Sequence, residues 1–188
     1  MENELACSIR DFFDLLSSIN IKAHITGGLA SSYYGQPRYT QDIDIVVDAS
    51  ALKTNLDQFL SLLAQKYLFS EDTIRAALLS GRVFQVIDDA TGFKFDIYPR
   101  EGVPGELGRG CVVELFPTIH LPLLSLPDCV VSKLQWIQKG SQKSIQDVRA
   151  IIDRLSPNQN AEVTLHADKN GLKDFLTNIL NANNQEPN

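Results

Sequence analysis

The chain has 188 residues, 17 Lys and Arg against 23 Asp and Glu, a net charge of −6 and 44% hydrophobic residues, which suits one domain with a core or a domain with a modest appendage. That acidic balance excludes a sequence-independent DNA clamp, which needs a broad field of Lys and Arg, yet leaves room for a nucleotide beside a cation or a few placed basic groups. No apolar run approaches the roughly 18 residues of a membrane span, the start Met1-Glu2-Asn3-Glu4 is acidic where a secretion signal is basic, and Cys7, Cys111 and Cys129 lack pairing spacing, so a cytoplasmic protein with buried thiols and no membrane partner is expected.

Leu5, Ile9, Phe12, Phe13, Leu16 and Ile19 recur at helical spacing over residues 4–19, and Asn20 closes that helix. Ala23 to Thr26 predicts a short strand that runs into Gly27-Gly28 and a helix reaching Tyr34. A turn at Gly35, Pro37 and Arg38 leads to the β-branched run Ile43, Ile45, Val46, Val47, which predicts a core strand. Helical spacing returns over 51–66, and a second short helix is predicted from Glu71 to Ser80, ending at Gly81. Val83–Ile87 and Phe93–Tyr98 read as a hairpin around Asp-Asp-Ala-Thr-Gly. Pro99–Gly110, rich in Gly and Pro, reads as loop, and Cys111–Phe116 as one more strand. From Pro127 onward helices are expected, one holding Leu134, Trp136 and Ile137, then Ser144–Leu155 and Leu172–Leu180, before a frayed polar tail, Asn181–Asn188. The interleaving predicts an α/β fold with a helical C-terminal part, divided near residue 120 into a 1–120 core and a 121–188 helical region.

The chemistry concentrates between Gly27 and Asp48. On a strand, Asp42 and Asp44 project to one face while Ile43, Ile45 and Val47 enter the core. Two carboxylates about 5 Å apart repel by on the order of 3 kcal/mol at an effective dielectric near 20. A divalent cation relieves that repulsion, and all-oxygen ligands suit Mg²⁺ or Mn²⁺ rather than zinc. In Phe93-Lys-Phe-Asp96-Ile-Tyr98 the apolar residues share a face and Asp96 takes the other, so it can stand beside Asp42 and Asp44. Asp88 and Asp89 compete, but their place at the hairpin turn predicts a turn and solubility role. Gly27-Gly28, where a strand meets a helix, can let a phosphate approach free amides, with Ser31 and Ser32 as hydroxyl donors. Alone, the pair reads equally well as a tight turn; joined to the acids it points to an anion cradle.

The stretch Gly27-Gly28…Arg38-Tyr-Thr40-Gln-Asp42-Ile-Asp44 resembles the nucleotide site of the DNA polymerase β-like nucleotidyltransferase superfamily. Within it, the chain is most similar to minimal bacterial nucleotidyltransferases related to the abortive-infection AbiEii toxins. Asp128-Cys-Val-Val-Ser-Lys133 and the later Asp147 resemble that family's further motifs, whereas Leu134 stands where those toxins tend to have a second Lys. The resemblance spans about residues 23–155. It implies a small mixed-sheet nucleotidyltransferase core and a metal-dependent transfer of a nucleoside monophosphate from a nucleoside triphosphate to an acceptor hydroxyl on a tRNA, a protein or a small molecule such as an antibiotic. A toxin of this kind implies a cognate antitoxin partner. Asp42, Asp44 and Asp96 would hold Mg²⁺ or Mn²⁺, with Asp96 as base. Gly27, Gly28 and Ser31 would cradle the triphosphate and Lys133 would lend it a cation. Arg38 and Thr40 belong to the nucleotide site by resemblance; the other reading is an Arg that pins its loop through carboxylate or carbonyl contacts.

Asp128 reads as a helix cap after Pro127, and Asp147 as a partner for Arg149 or Lys133. His24 reads as a core histidine. His120 and His166 lack neighbours at zinc-ligand spacing, and Trp136 reads as a packing residue. Tyr33 and Tyr34 suit base stacking or burial against the first helix. A nucleotide-sugar glycosyltransferase would explain the paired acids but not the glycines. A haloacid-dehalogenase-like phosphatase would want a small hydroxyl residue near Ile45. A non-catalytic nucleotide-binding module is the rival from a different class.

Overall fold

The computed structural model describes residues 4–38, 40 and 42–182; the first three residues, Tyr39, Gln41 and positions 183–188 of the polar tail lie outside it. The chain divides into two compact units, Met1–Leu29 with Tyr39–Leu124, and Ala30–Arg38 with Ser125–Asn188.

In the first unit, α1 (Glu4–Ser18) leads to β1 (Ala23–Ile25) and to α2 (Gly27–Tyr34), which starts in this unit and ends in the second. Then come β2 (Asp42–Val47), α3 (Ala49–Thr54), α4 (Leu56–Leu63), β3 (Tyr67–Leu68), α5 (Glu71–Ser80), β4 (Phe84–Asp88), β5 (Lys94–Tyr98), α6 (Glu106–Arg109), β6 (Cys111–Phe116) and β7 (Ile119–Leu123). The strands form one seven-stranded mixed sheet in the order β3-β4-β5-β2-β1-β7-β6. At its centre β2 runs parallel to β5, pairing Ile43 with Phe95 and Ile45 with Ile97. These four apolar side chains are buried, and because side chains alternate along a strand, Asp42, Asp44 and Asp96 face the other way. The α1 stripe seals the apolar face, with Phe12 stacked on Phe95 at 4.7 Å and Tyr67 edge-on to both rings.

The second unit is helical: the remainder of α2, then α7 (Leu126–Gln138), α8 (Gln142–Ile152), α9 (Pro157–Lys169) and α10 (Lys173–Asn181). Val130, Leu134, Val148, Ile151, Val163 and Leu176 form its apolar centre. Gly35 meets α8 so closely that an added Cβ would lie 3.1 Å from the Ile151 side chain, and Arg154 donates to the Gly35 carbonyl. Among the described residues no helix is long and apolar enough to cross a membrane.

Several sequence expectations need correction. The helix expected over 51–66 breaks at Asn55, because the Thr54 hydroxyl and the Asn55 amide bond back to the carbonyls of Ser50 and Ala51 and compete with continued helix. The loop expected over Pro99–Gly110 contains α6, organised by Glu101, which accepts from the amides of Gly105 and Leu107. Asp88 accepts from the Ala90 amide at the hairpin turn as expected, but at 1% exposure and with Ser8 Oγ donating to it, it does not serve solubility. Among the thiols Cys129 is buried, its pKa pushed up to about 12 by burial, but Cys111 is exposed. Trp136, expected to pack, is exposed with the Lys139 ammonium 5.0 Å from its ring centre.

Candidate functional site

The acid face of the sheet is built by two neighbouring parallel strands in register, Asp42 opposite Lys94 and Asp44 opposite Asp96. Each carboxylate has a partner from the same face. Lys94 Nζ lies 2.8 Å from Asp42 Oδ1. The Tyr98 hydroxyl donates to Asp44 Oδ1 at 3.1 Å, and the Gln85 amide donates to Asp96 Oδ1 at 2.9 Å. The hydrogen bond to Asp42, followed by the charges of Asp42 and Asp96, holds the Lys94 pKa above the ordinary lysine value. Burial, then the Asp44 charge, pushes the Tyr98 hydroxyl well above its usual value, so it stays protonated and able to donate.

Against this face stands the start of α2. Gly27 has φ +61°, and a Cβ there would stand 1.9 Å from Asp44 Oδ2. Only glycine permits both that backbone conformation and that approach. The Gly28 amide points at the same oxygen over 3.4 Å, and the Thr26 amide bonds the Asp44 carbonyl at 2.9 Å. Thr40 reaches the Asp42 carbonyl through its hydroxyl at 3.2 Å.

Among the described residues no three His, Cys, Asp or Glu side chains stand ready-made as a metal cage. The donor set still fits a hard divalent cation. Asp42 and Asp44 share one strand face, Asp96 is in register with Asp44, and a positive charge, the Lys94 ammonium, is already drawn to Asp42.

The second unit holds a separate charged group. Asp147 accepts from Arg38 Nε at 2.8 Å and Nη2 at 3.1 Å, and from Lys133 Nζ at 2.8 Å. The Asp147 and Lys133 side chains are 6% and 7% exposed, so this is a buried ion cluster, whereas the Asp42–Lys94 pair at 40% and 43% is open to water. Burial works to raise the Asp147 pKa, but the hydrogen bonds and charges of Arg38 and Lys133 outweigh it and hold the carboxyl below its ordinary value. Lys133 is thus the partner of Asp147, while Arg149 instead donates to the Ile179 carbonyl. Asp128 is not the cap of α7. Ser125 is, and Asp128, fully buried at the third helical position, receives the Ser125 hydroxyl at 2.6 Å and meets His166 Nε2 at 2.7 Å.

The structure therefore gathers Asp42, Asp44, Asp96, Gly27, Gly28 and Thr40 in the first unit, and places Arg38, Lys133 and the buried Ser31 in the second. Sequence reasoning missed Lys94, Tyr98 and Gln85. The signal for the first two was present: Lys94 and Tyr98 flank Asp96 at spacing two and share its face.

No protein-family profile and no curated protein matches the chain by sequence. Solved structures do match in fold. The solution structure of the antibiotic-resistance factor ANT(2'')-Ia superposes with a TM-score of 0.58 at 13% identity, covering 95% of this chain and 97% of that one. ANT(2'')-Ia in complex with adenylyl-2''-tobramycin gives 0.55 at 14% identity, over 89% and 99%. An antigenic nucleotidyltransferase-like protein from Paracoccidioides brasiliensis gives 0.52 at 17% identity, over 96% and 94%. The mixed α/β architecture is that of the nucleotidyltransferase fold.

Proposed function

We propose that this chain is a nucleotidyltransferase, moving a nucleoside monophosphate from a nucleoside triphosphate to an acceptor hydroxyl. The observation that carries the reading is Asp44 in register with Asp96 on parallel strands, with the Gly27 backbone pressed on Asp44, on a sheet of the nucleotidyltransferase fold.

Asp42, Asp44 and Asp96 are the groups that would hold Mg²⁺ or Mn²⁺. Bound there, the ion supplies charge neutralisation at the α-phosphate and the leaving pyrophosphate. The other tasks fall to the chain. Tyr98 and the Gly28 amide fix the two oxygens of Asp44, so its orientation is set before substrate arrives. Gln85 engages Asp96 Oδ1, and Asp96 Oδ2 is the atom that would take the acceptor's proton. Gly27 and Gly28 would serve the triphosphate by seating the Asp44 carboxylate at the helix start, where its Oδ2 fills the space beside Gly27. A divalent ion held by Asp42 would compete with the Lys94 ammonium for that carboxylate. Arg38 and Lys133 serve through Asp147: their cluster fixes the segment after α2, which is their role here in place of direct phosphate contact.

For the acceptor, a small-molecule hydroxyl, as on an antibiotic, is favoured by whole-chain agreement in fold with ANT(2'')-Ia and by a net charge of −6, which suits a large nucleic acid poorly. The alternative is a macromolecular acceptor, with the chain acting as an AbiEii-type toxin beside an antitoxin. Incubation with each α-labelled triphosphate, Mg²⁺ and cell extract decides. Label in metabolites supports the first acceptor and label in tRNA or protein the second. Asp44→Asn should lower either by on the order of 100-fold or more. Triphosphate binding without turnover would identify a non-catalytic module instead.

A further inference from the structure

A second polar concavity lies in the first unit, at the other end of β2. It encloses about 440 Å³ and is lined by Lys22, Val47, Asp48, Ser50, Arg100 and Leu107, among others. Asp48 is four residues beyond Asp44, about 13 Å along an extended strand, so this cavity is not the acid face seen from another side.

Its charges are unequally committed. Asp48 Oδ1 caps α3, accepting from the amides of Ser50 and Ala51 and from the Ser50 hydroxyl. Those bonds, led by the Ala51 amide, hold its pKa below the ordinary value, with the nearby Lys22 charge adding to them. Glu101, also at the rim, gives one oxygen to the Leu107 amide and the other to the Gly105 amide. Both Glu101 oxygens and Asp48 Oδ1 are thus taken by backbone amides, where they fix the loops that shape the cavity. The cations are less committed, Lys22 acting on Asp48 through its charge alone. Lys22 and Arg100 are exposed, and among the described residues neither stands in an ion pair. A guanidinium and an ammonium lining one concavity suit an anion with several acceptor oxygens, and a phosphate group meets the guanidinium fork through paired hydrogen bonds.

We infer that this cavity is a second ligand site, taking a small phosphate-bearing anion between Lys22 and Arg100, separate from the triphosphate site proposed above. The inference does not depend on that reading, since it uses none of the same residues.

The test is a backbone-amide NMR titration of the full chain with inorganic phosphate, then with a nucleoside monophosphate, at fixed ionic strength and without divalent metal. Saturable shifts at Ser50, Ala51, Glu101 and Gly108 are expected. The Lys22→Gln/Arg100→Gln variant should weaken that response about tenfold, as loss of charge-assisted hydrogen bonds implies, with its melting temperature unchanged. A response to inorganic phosphate alone assigns the free ion, and a tighter one to the monophosphate assigns a phosphate ester. Shifts confined to Gly27 and Gly28, no saturable shift, or equal shifts in the double variant would overturn the inference. Asp44→Asn should retain the response, so failure of the catalytic reading would leave this result standing.

Discussion

The acid face of β2 and β5 and the Asp147 cluster both set carboxylates against cations, yet burial gives them opposite uses. Around Asp147 two cations converge on one carboxylate, with Asp147 and Lys133 almost closed to solvent and Arg38 30% exposed, and a buried pair costs heavily when one partner is lost. On the acid face Lys94 pairs with Asp42, Tyr98 and Gln85 donate to Asp44 and Asp96, and the Asp42–Lys94 pair is near half-exposed. An exposed pair contributes little to stability and exchanges readily. The buried cluster holds the backbone in place, while the open face keeps its charge available for a ligand.

The strongest way to break that contrast is Asp147→Ala. It leaves Lys133 buried without its carboxylate and should cost about 3–5 kcal/mol, a fall in melting temperature of roughly 6–20 °C for a chain of this size. A melt within 2 °C of the parent would show the cluster to be dispensable. Next is Gly27→Ala, which puts a methyl at φ +61° into Asp44 Oδ2. The strained backbone should cost about 1–3 kcal/mol and displace Asp44, so both stability and transfer should fall together in parallel melts and assays.

Acid provides a graded version of the first experiment. Because the Asp147 pKa is held down in the folded chain, its contribution is fully present above the unfolded carboxyl value of about 3.9. It is lost as pH falls through the lower folded value. Asp147→Asn should therefore flatten the acid limb of stability in urea melts between about pH 5 and pH 2; an unchanged limb would assign acid sensitivity elsewhere. The smallest effect belongs to Lys94→Gln. Its melt should match the parent, as expected for an exposed pair, while the Mg²⁺ concentration for half-maximal activity falls because a competing cation is gone.

Much of this contrast was legible in the sequence, for a simple reason. Alternation on β2 and β5 fixes the face of Asp42, Asp44 and Asp96, since an error of one residue would bury the acids and expose Ile43, Ile45, Phe95 and Ile97. The Gly27 handover from strand to helix was equally local. The Asp147 cluster was legible only in part: the sequence offers Lys133 as a partner of Asp147 and a carboxylate for Arg38, but that this carboxylate is Asp147, 109 positions away, leaves no trace in spacing. β7 was missed because Pro122 argues against a strand, and it is tolerated where β7 pairs with β1 only at Leu123. The helix α9 was overlooked although Ser156 and Gln159 form a capping box with Pro157 between them; there the signal was present and its weak apolar stripe hid it.

The account rests on the exposed carboxylates being a triphosphate-metal site. Calorimetric titration of the full chain with each of the four nucleoside triphosphates, with and without Mg²⁺, tests that without knowledge of the acceptor. At least one triphosphate should bind only when the metal is present, and Asp44→Asn should abolish the heat while its melting curve stays that of the parent. Equal binding without metal, or binding untouched by Asp44→Asn, would contradict the assignment.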